Sequence, residues 1–310
     1  MIYLRLVNGL GNQLFQYAFA RYLQEQYKEV MWINIEAYQE DAQRDYSLAH
    51  FKLNPNVYVQ KGIPAQVTYR YMNHIVKEYK KKWPWRSIKG RADIEYKDKI
   101  VKEHGRYIAL PGINSCMYYD YPVTAKKNKL VIGSFQNEKY FREIKDIILK
   151  EFRLKDALPA EIKLLMKQMR TENSVCVHMR RGDYLMAKNK GFNICTKRYY
   201  YDAMDLVADK ISNPVFYIFS NTTNDLNWIE ESYSFKYPVK YVKMDNPDYI
   251  ELMLMAACNH FIISNSTFSW WAQYLAENEE KIVVAPNKWY NVNEEKVPEI
   301  YMDTWNVVEI

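Results

Sequence analysis

The hydrophobic pattern of the second half of the chain is that of short strands alternating with longer helices. Runs of four or five mostly apolar residues are followed by stretches in which apolar residues recur every three or four positions. The predicted strands cover residues 174–178, 215–219, 239–242, 260–264 and 282–285, and the predicted helices cover residues 199–211, 225–233, 249–258 and 267–277. This alternation indicates βαβ units and a parallel sheet.

The first half shows the same alternation near its two ends. A strand over residues 1–7 leads through a glycine-containing turn into apolar positions at helical spacing, and a second strand covers residues 30–35. We therefore expect these two strands to pair in parallel through a right-handed crossover. A strand at residues 130–135 and a helix at 138–152 follow, whereas residues 38–129, which five prolines interrupt, indicate only mixed helix and loop.

The length of the chain and its apolar content allow two hydrophobic cores. With 310 residues, of which 48% are hydrophobic, the chain exceeds one typical domain. The pattern breaks near residues 154–159, so we place a hinge there. The prediction is an α/β protein with two Rossmann-like domains, residues 1–153 and 154–310, that face each other across a cleft.

The charge balance points to a small anionic ligand or a membrane surface. A net charge of +6 is too small for the basic surface of a nucleic-acid-binding protein, which we exclude. Much of the excess lies in residues 77–91, from Lys77 to Arg91, where Trp83 and Trp85 stand among basic residues. A solvated loop is the simpler interpretation, and the alternative is peripheral contact with an anionic membrane, where each cation contributes roughly 1 kcal/mol.

Cysteine and histidine usage bear on the compartment and on metals. The four cysteines lack paired Cys-x-x-Cys spacing, and Cys176 and Cys258 lie in apolar segments typical of buried thiols. The apolar segment at residues 1–7 is too short for a signal sequence, and no apolar run of about 18 residues occurs. We expect a cytoplasmic protein, soluble or peripheral to the inner face of the membrane. Five histidines and no Asp-x-Asp loop predict no metal site.

A pair of arginines directly follows the strand at residues 174–178. Arg180 and Arg181 precede Gly182, which allows a sharp turn, and Asp183, which can hold an arginine in place. Ligands of open α/β sheets bind beyond the carboxyl ends of the strands, where guanidinium groups hold phosphates through paired hydrogen bonds. The sequence predicts an anion site here, with a solvated turn as the alternative.

A second candidate anion site lies at the start of the helix predicted at residues 267–277. Asn265, Ser266 and Thr267 link a strand to this helix, whose first amide groups and dipole favour phosphate. Simple helix capping explains Ser266 equally well. We expect Trp270 and Trp271, inside the helix, to pack in the core.

The glycine turn after the first strand resembles the beginning of a dinucleotide-binding fingerprint. Gly9 and Gly11 have the required spacing, but Leu14 replaces the third glycine, so NAD binding is a weak alternative. Asn12 and Gln13 follow, and a tight turn that uses asparagine and glycine for backbone reasons is also consistent with the pattern.

Polar residues also follow the strand at residues 215–219. Asn221 and Asp225 stand where a nucleotide base or ribose would bind at this sheet edge, although a helix cap at Asn224 or Asp225 is the simpler alternative. His178 ends the strand at residues 174–178, and a histidine in such a place is more often a satisfied structural group.

Four segments, in this order along the chain, resemble the α-1,2-fucosyltransferases of glycosyltransferase family 11. The pattern His-x-Arg-Arg-Gly-Asp-Tyr is similar to the nucleotide-binding motif of fucosyltransferases that use GDP-fucose, and the segments are residues 9–17, 133–141, 178–184 and 265–271. Residues 38–129 and the last two dozen residues match little. The resemblance implies a GT-B architecture with an acceptor-side N-terminal domain and a GDP-fucose-binding C-terminal domain.

The resemblance also implies a reaction. It is the inverting, metal-independent transfer of L-fucose from GDP-β-L-fucose to the 2-hydroxyl of a terminal galactose, in an oligosaccharide or a lipid-linked glycan such as an O-antigen or capsule unit. GDP-fucose is a co-substrate, and no cofactor is expected. The implied donor-binding residues are His178, Arg180, Arg181, Asp183, Asn221, Asp225, Asn265, Ser266, Thr267, Phe268, Gly9, Gly11, Asn12 and Gln13.

The candidate catalytic residues are Arg180, Asn12 and Asp183. Arg180 would stabilise the charge that develops on the β-phosphate, and Asn12 lies where the family has a polar residue close to the reacting sugar. Relatives often carry an aspartate at the position of Asn221, so the guanine contact falls to Asn221 or to Asp225. The open alternatives are a GDP-fucose-dependent transferase with another acceptor or linkage, and a non-catalytic glycan-binding protein.

Overall fold

The chain folds into two compact α/β units. In a computed structural model they cover Met1–Lys155, the N-terminal unit, and Asp156–Ile310, the C-terminal unit. The structure describes residues 1–40, 44–82, 101, 103–112, 116–186, 191–290 and 299–310. The division falls two residues after the predicted boundary, inside the segment where the hydrophobic pattern breaks.

The N-terminal unit is built on a six-stranded sheet with strand order β3-β2-β1-β6-β5-β4. All pairs are parallel except β4 with β5, and β1 pairs with β2 as expected, with Ile2 opposite Met31. Its elements are β1 (Ile2–Arg5), α1 (Leu10–Tyr27), β2 (Met31–Asn34), α2 (Ala37–Glu40), β3 (Val57–Val59), α3 (Gly62–Lys82), β4 (Glu103–His104), β5 (Tyr107–Gly112), β6 (Asn128–Gly133) and α4 (Lys145–Glu151).

Two expectations for this unit were wrong. Residues 38–129 were assigned to mixed helix and loop, yet they contribute three strands and the long helix α3. The helix expected at residues 138–152 begins only at Lys145, after two 3-10 turns, Glu138–Tyr140 and Arg142–Ile144. Phe141, with a φ of −145°, separates the two turns and still buries its ring, so the apolar spacing is satisfied without a continuous helix.

The C-terminal unit has an all-parallel six-stranded sheet with the order β12-β11-β10-β7-β8-β9. In chain order this is the doubly wound order of the Rossmann fold. Helix α5 and strand β12 were not predicted. Its elements are α5 (Ala160–Thr171), β7 (Ser174–His178), α6 (Lys197–Ala208), β8 (Val215–Phe219), α7 (Thr223–Ser232), β9 (Val239–Tyr241), α8 (Asp248–Ala256), β10 (His260–Ile262), α9 (Thr267–Leu275), β11 (Val283–Pro286) and β12 (Asn306–Val308).

The C-terminal sheet has a point at which the strand order reverses. In the C-terminal unit it lies between the paired strands β7 and β10, since the chain continues from β7 towards β8 and from β10 towards β11. Such switch points open a crevice at the carboxyl ends of the strands, where ligands of α/β proteins bind. The described strands of the N-terminal sheet show no such reversal, since the order runs 3-2-1 and then 6-5-4, with β1 and β6 as parallel neighbours at the centre. The segments after β1, β6, β7 and β10 are those that the sequence analysis singled out.

The core of the C-terminal unit confirms two further expectations. Trp270 and Trp271 are fully buried, and Cys176 and Cys258 are buried free thiols. Among the residues that the structure describes, none of the helices has the length and apolar composition that a membrane span requires. Within these same ranges, no group of three or more His, Cys, Asp or Glu side chains is placed to hold a metal ion.

Candidate functional site

The segment after β7 forms a tight turn that carries both arginines. Met179 N donates to Phe219 O at 2.9 Å, and the chain then enters the 3-10 turn Gly182–Leu185. Gly182 has a φ of +44°, and a Cβ at this position would lie 2.8 Å from Asn221 Nδ2. Glycine is therefore needed both for the backbone conformation and for the space.

Arg180 is held in place, but its Nε is not used to hold it. Its Nη2 donates to Asp183 Oδ1 at 2.6 Å, and its guanidinium carbon lies 5.3 Å from the centre of the Tyr184 ring. Its Nε is buried and has no hydrogen-bond partner among the described residues. An unsatisfied buried donor costs about 1–3 kcal/mol, which an anion at Nε would recover. The side chain is only 17% exposed, and its contacts with Asp183 and Tyr184 fix it in the turn.

Arg181 has a different environment. Its backbone N donates to Asn221 Oδ1 at 3.0 Å and its Nε to Asp225 Oδ1 at 3.3 Å. Its guanidinium carbon lies 3.3 Å from the centre of the Trp228 ring. Asn221 and Asp225, the candidate contacts for the base, thus also serve to fix Arg181. The cap of α7 is Thr222, which accepts from Asp225 N, and so the expectation of a cap at Asn224 or Asp225 was wrong.

His178 joins the two strands of the switch point. It is 2% exposed, and its Nδ1 lies 3.0 Å from Ser264 Oγ. Burial, with a further contribution from the charge of Arg180, lowers the pKa of His178 to about 3. The imidazole is therefore neutral at physiological pH. The Phe268 ring lies nearby, with its centre 6.0 Å from that of the imidazole.

The start of helix α9 lies beside the arginine turn. Ser266 caps the helix, because its Oγ accepts from Phe268 N at 3.3 Å, and Thr267 begins the helix with a partly exposed side chain. Tyr184 OH donates to Asn265 O at 3.0 Å and so ties the arginine turn to this helix start. The two predicted anion sites are therefore adjacent.

The side chain of Asn265 serves the fold. Its Nδ2 donates to the backbone oxygens of Phe192 and Trp289, each at 2.9 Å, and its Oδ1 accepts from Cys195 Sγ at 3.6 Å. With both ends of the amide bound and 2% of the residue exposed, Asn265 shapes the loop and does not offer its side chain to a ligand. The expectation that it contacts the donor is corrected in this respect.

The glycine turn of the N-terminal unit caps helix α1. Gly9 is the N-cap residue, and its O accepts from Asn12 N at 2.9 Å and from Gln13 N at 3.2 Å. Its φ of −71° is one that any residue adopts, whereas Asn8 takes the positive φ of 67°. Gly11 is buried in the first turn of α1.

Asn12 and Gln13 have separate roles. Gln13 is fully buried, and its amide is saturated by the backbone oxygens of Asn8 and Asp45 and by the backbone N of Ser47 and of Leu48. Gln13 therefore anchors the loop, and its side chain has no polar group left for a ligand. The expectation that this side chain contacts GDP-fucose is corrected.

Asn12 lies at the surface of the turn and is oriented by a residue from another segment. Its Oδ1 accepts from Gln136 Nε2 at 2.7 Å, and Gln136 Oε1 accepts in turn from Cys116 Sγ at 3.4 Å. Asn12 is partly exposed, and its Nδ2 bonds to none of the described residues. Two of the four quoted segments, residues 9–17 and 133–141, meet at this hydrogen bond.

Several residues of these sites were missed by the sequence analysis. Tyr184 and Gln136 both lie inside quoted segments, so their positions carried a signal. Trp228 lies three residues after Asp225 in α7, a spacing that places both side chains on one face of the helix. That spacing was the available signal for Trp228.

The fold and the site together define a class. Two α/β units with largely parallel sheets, one of which has the strand order of the Rossmann fold, are the architecture of the GT-B glycosyltransferases. The model of glycosyl transferase family 11 matches residues 1–309, and the chain belongs to this family.

Relatives in sequence agree with this assignment. An alpha-1,2-colitosyltransferase of Escherichia coli is 30% identical over 303 residues, which cover 94% of this chain and 92% of the relative. The O-antigen biosynthesis glycosyltransferase WbnK of the same species is 26% identical over 98% of this chain and 99% of its own. Galactoside alpha-(1,2)-fucosyltransferase 1 of Saimiri sciureus is 30% identical over 149 residues, 44% of this chain and 40% of the relative.

Solved structures share the fold. Fucosyltransferase NodZ from Bradyrhizobium superposes with a TM-score of 0.51 at 14% identity, over 89% of this chain and 91% of that chain. A structure of NodZ alpha-1,6-fucosyltransferase co-crystallised with GDP gives a TM-score of 0.50 at 15% identity, over 89% and 92%. The predicted GT-B fold class is confirmed.

Proposed function

We propose that the protein is an inverting transferase that moves L-fucose from GDP-β-L-fucose to the 2-hydroxyl of a terminal galactose, forming an α-1,2 linkage. Membership of family 11 and relatives that are α-1,2-fucosyl- and colitosyltransferases support fucosyl-type transfer. The observation that carries the donor assignment is the buried, unpartnered Nε of Arg180 beside the start of α9.

In this proposal the diphosphate of the donor lies between Arg180 and Thr267. Arg180 donates from Nε, and the first amide groups of α9 donate from the other side, where the helix dipole also favours an anion. Negative charge grows on the β-phosphate as GDP departs from an oxocarbenium-like sugar, and donors fixed before the reaction stabilise that charge. Asp183 is bound to Arg180 at 2.6 Å, so we assign it to orienting the arginine and not to removing the acceptor proton.

We further propose that no divalent metal takes part. The charge that a metal neutralises in other nucleotide-sugar enzymes is met here by Arg180 and by the amino terminus of α9. The expected result is transfer at an undiminished rate in excess EDTA. Loss of activity in EDTA that Mg²⁺ or Mn²⁺ restores would contradict this part.

The colitosyltransferase relative supports a second candidate donor. Colitose is L-fucose without the 3-hydroxyl, so the nucleotide part of the site would be the same for both donors. A site that hydrogen-bonds a substrate hydroxyl rejects the analogue lacking it by about 10,000-fold or more, whereas an apolar site discriminates weakly. Competition between GDP-fucose and GDP-colitose in one reaction separates the two candidates.

On the acceptor side we assign a role to Asn12. Its amide is oriented by Gln136, and its Nδ2 would donate to an oxygen of one of the sugars. An amide takes up no proton at neutral pH, so Asn12 positions a sugar and is not the base. Membrane contact through residues 77–91 stays a hypothesis, and residues 83–91 of that segment lie outside the described ranges.

The test is incubation with GDP-fucose and a panel of galactose-ended acceptors, followed by linkage analysis of the product. We expect an α-1,2-linked fucose on galactose, and a matched Arg198→Ala variant, at a side chain 80% exposed on α6, to give the same product. Fucose attached at another position would support the proposed fucosyl transfer and contradict the proposed α-1,2 linkage. A non-catalytic glycan-binding protein would form no product and is not expected to bind GDP. Calorimetry with GDP would distinguish it from a transferase.

A further inference from the structure

Trp228 is a large side chain left half-exposed at the edge of the donor site. It lies on α7 and is 41% exposed, although a tryptophan gains most from full burial. One face of its ring is covered by the guanidinium group of Arg181, whose carbon is 3.3 Å from the ring centre. At this distance the two planar groups are in contact, which is the geometry of a cation–π interaction.

Arg181 is fixed by three separate contacts. Besides the Trp228 ring, Asp225 Oδ1 accepts from its Nε at 3.3 Å and Asn221 Oδ1 accepts from its backbone N at 3.0 Å. Asp225 and Trp228, three residues apart on one helix face, hold the edge and the face of the guanidinium group. The two Nη groups of Arg181 bond to none of the described residues.

The side of the β7 turn on which Arg181 makes its contacts distinguishes it from Arg180. Arg180 faces the side of β10 and α9, to which Tyr184 connects its turn. Arg181 faces the side of β8 and α7, where its contacts lie. In sheets with this strand order the diphosphate occupies the switch point and the ribose lies towards the end of the next strand. That next strand is β8, which precedes the segment of Asn221 and Asp225.

We infer that Trp228 is a positioning residue that holds Arg181 against the nucleoside of the donor, while Arg180 binds the diphosphate. This inference rests on the proposed function. It divides the arginine pair: the Nη groups of Arg181 meet the ribose and base, and the unpartnered Nε of Arg180 meets the phosphates. A rigid guanidinium loses less conformational freedom on binding, and this is the contribution of Trp228 to affinity.

The test compares the affinities for GDP and GMP, which share the nucleoside and differ by one phosphate. Trp228→Ala should weaken both by the same factor, about 3- to 10-fold, the size of a cation–π contact. Trp228→Phe keeps an aromatic face and should stay within about 2-fold of wild type. Arg180→Ala should weaken GDP much more than GMP. Leu164→Ala, at an exposed position of α5, is the control and should change neither affinity.

A double variant separates positioning from general structural damage. If Trp228 acts through Arg181, then Trp228→Ala should have no further effect on GDP affinity in an Arg181→Ala background. If Trp228→Ala weakens GDP binding by the same factor in wild type and in the Arg181→Ala variant, the inference is overturned. An unchanged GDP affinity in Trp228→Ala would also overturn it. A lowered GDP-to-GMP preference in Trp228→Ala would also overturn it and assign Arg181 to the phosphates. If wild type binds neither nucleotide, the proposed function itself fails, and this inference with it.

Discussion

Replacing Arg180 by alanine separates the chemistry of the site from its stability. The variant removes a side chain that is 17% exposed, together with its 2.6 Å contact to Asp183 and its buried, unpartnered Nε. Asp183 is 29% exposed and regains water, so no isolated charge is left buried. Arg180→Ala also removes an unsatisfied buried donor, which offsets the loss of a partly exposed ion pair worth about 1 kcal/mol or less. We therefore expect the free energy of unfolding to change by about 1 kcal/mol or less.

The expected effect on the reaction is far larger. Removing one fixed donor from a developing anion typically lowers the rate about 100- to 1,000-fold, or about 2.7–4 kcal/mol of transition-state stabilisation. Arg180→Lys keeps the charge and loses the planar fork, so its rate should lie between those of wild type and alanine.

The assay is the initial rate of transfer from GDP-fucose, with kcat and KM measured separately and thermal unfolding followed on the same samples. In an Arg180→Ala background, Asp183→Asn should have little further effect, since its role is to orient the missing group. A kcat within about 3-fold of wild type in a folded Arg180→Ala protein would refute the reasoning, because groups other than Arg180 would then stabilise the transition state.

Three further predictions concern backbone geometry and pH. Gly182→Ala forces a side chain onto a positive φ and against Asn221, so we expect a loss of about 1–2 kcal/mol in the free energy of unfolding and weaker GDP binding; wild-type values for both would contradict the assigned geometry. Burial raises the pKa of Glu251 to about 7, above its value of 4.5 in the unfolded chain, so its contribution to stability is lost as the pH rises from about 4.5 to 7. Glu251→Gln should then raise the free energy of unfolding by about 2–3 kcal/mol at pH 8 and change it little at pH 5, as chemical denaturation would measure. The pKa of His178 is lowered from 6.5 to about 3, so between these pH values the unfolded chain binds a proton at His178 that the folded protein does not bind. His178→Gln should therefore reduce the fall in the free energy of unfolding between pH 6 and pH 4 by up to about 1.4 kcal/mol per pH unit. The same pH dependence of the free energy of unfolding in the variant and wild type would show that His178 is not buried as described.

The C-terminal unit was predictable because its strands and helices are each uniform in pattern. Strand β7 is buried at every residue, as expected of a central strand in a parallel sheet, whereas the order of the strands, helix α5 and strand β12 were not predicted. Helix α3 also had a signal, with Ala65, Tyr69, Met72 and Ile75 buried on one face. It was missed because Pro64 marked a break, although proline is tolerated in the first turn of a helix.

The candidate site was predictable where the topology alone places residues. The carboxyl ends of parallel strands share one edge, so Arg180 and Ser266 meet there whatever the details of packing. The local sequence does not show which polar groups are used up inside the fold. Gln13 and Asn265 look like ligand contacts until distant backbone groups, such as those of Ser47 and Trp289, are brought to them.

The most direct measurement is a crystal structure of the protein with GDP, grown in the presence of EDTA. The central claim is that Arg180 and the start of α9 bind the diphosphate without a metal. It predicts a β-phosphate oxygen about 2.7–2.9 Å from Arg180 Nε, with the first amide groups of α9 at hydrogen-bond distance from the same diphosphate. GDP bound elsewhere, or bound with Arg180 turned away from its phosphates, would contradict the claim.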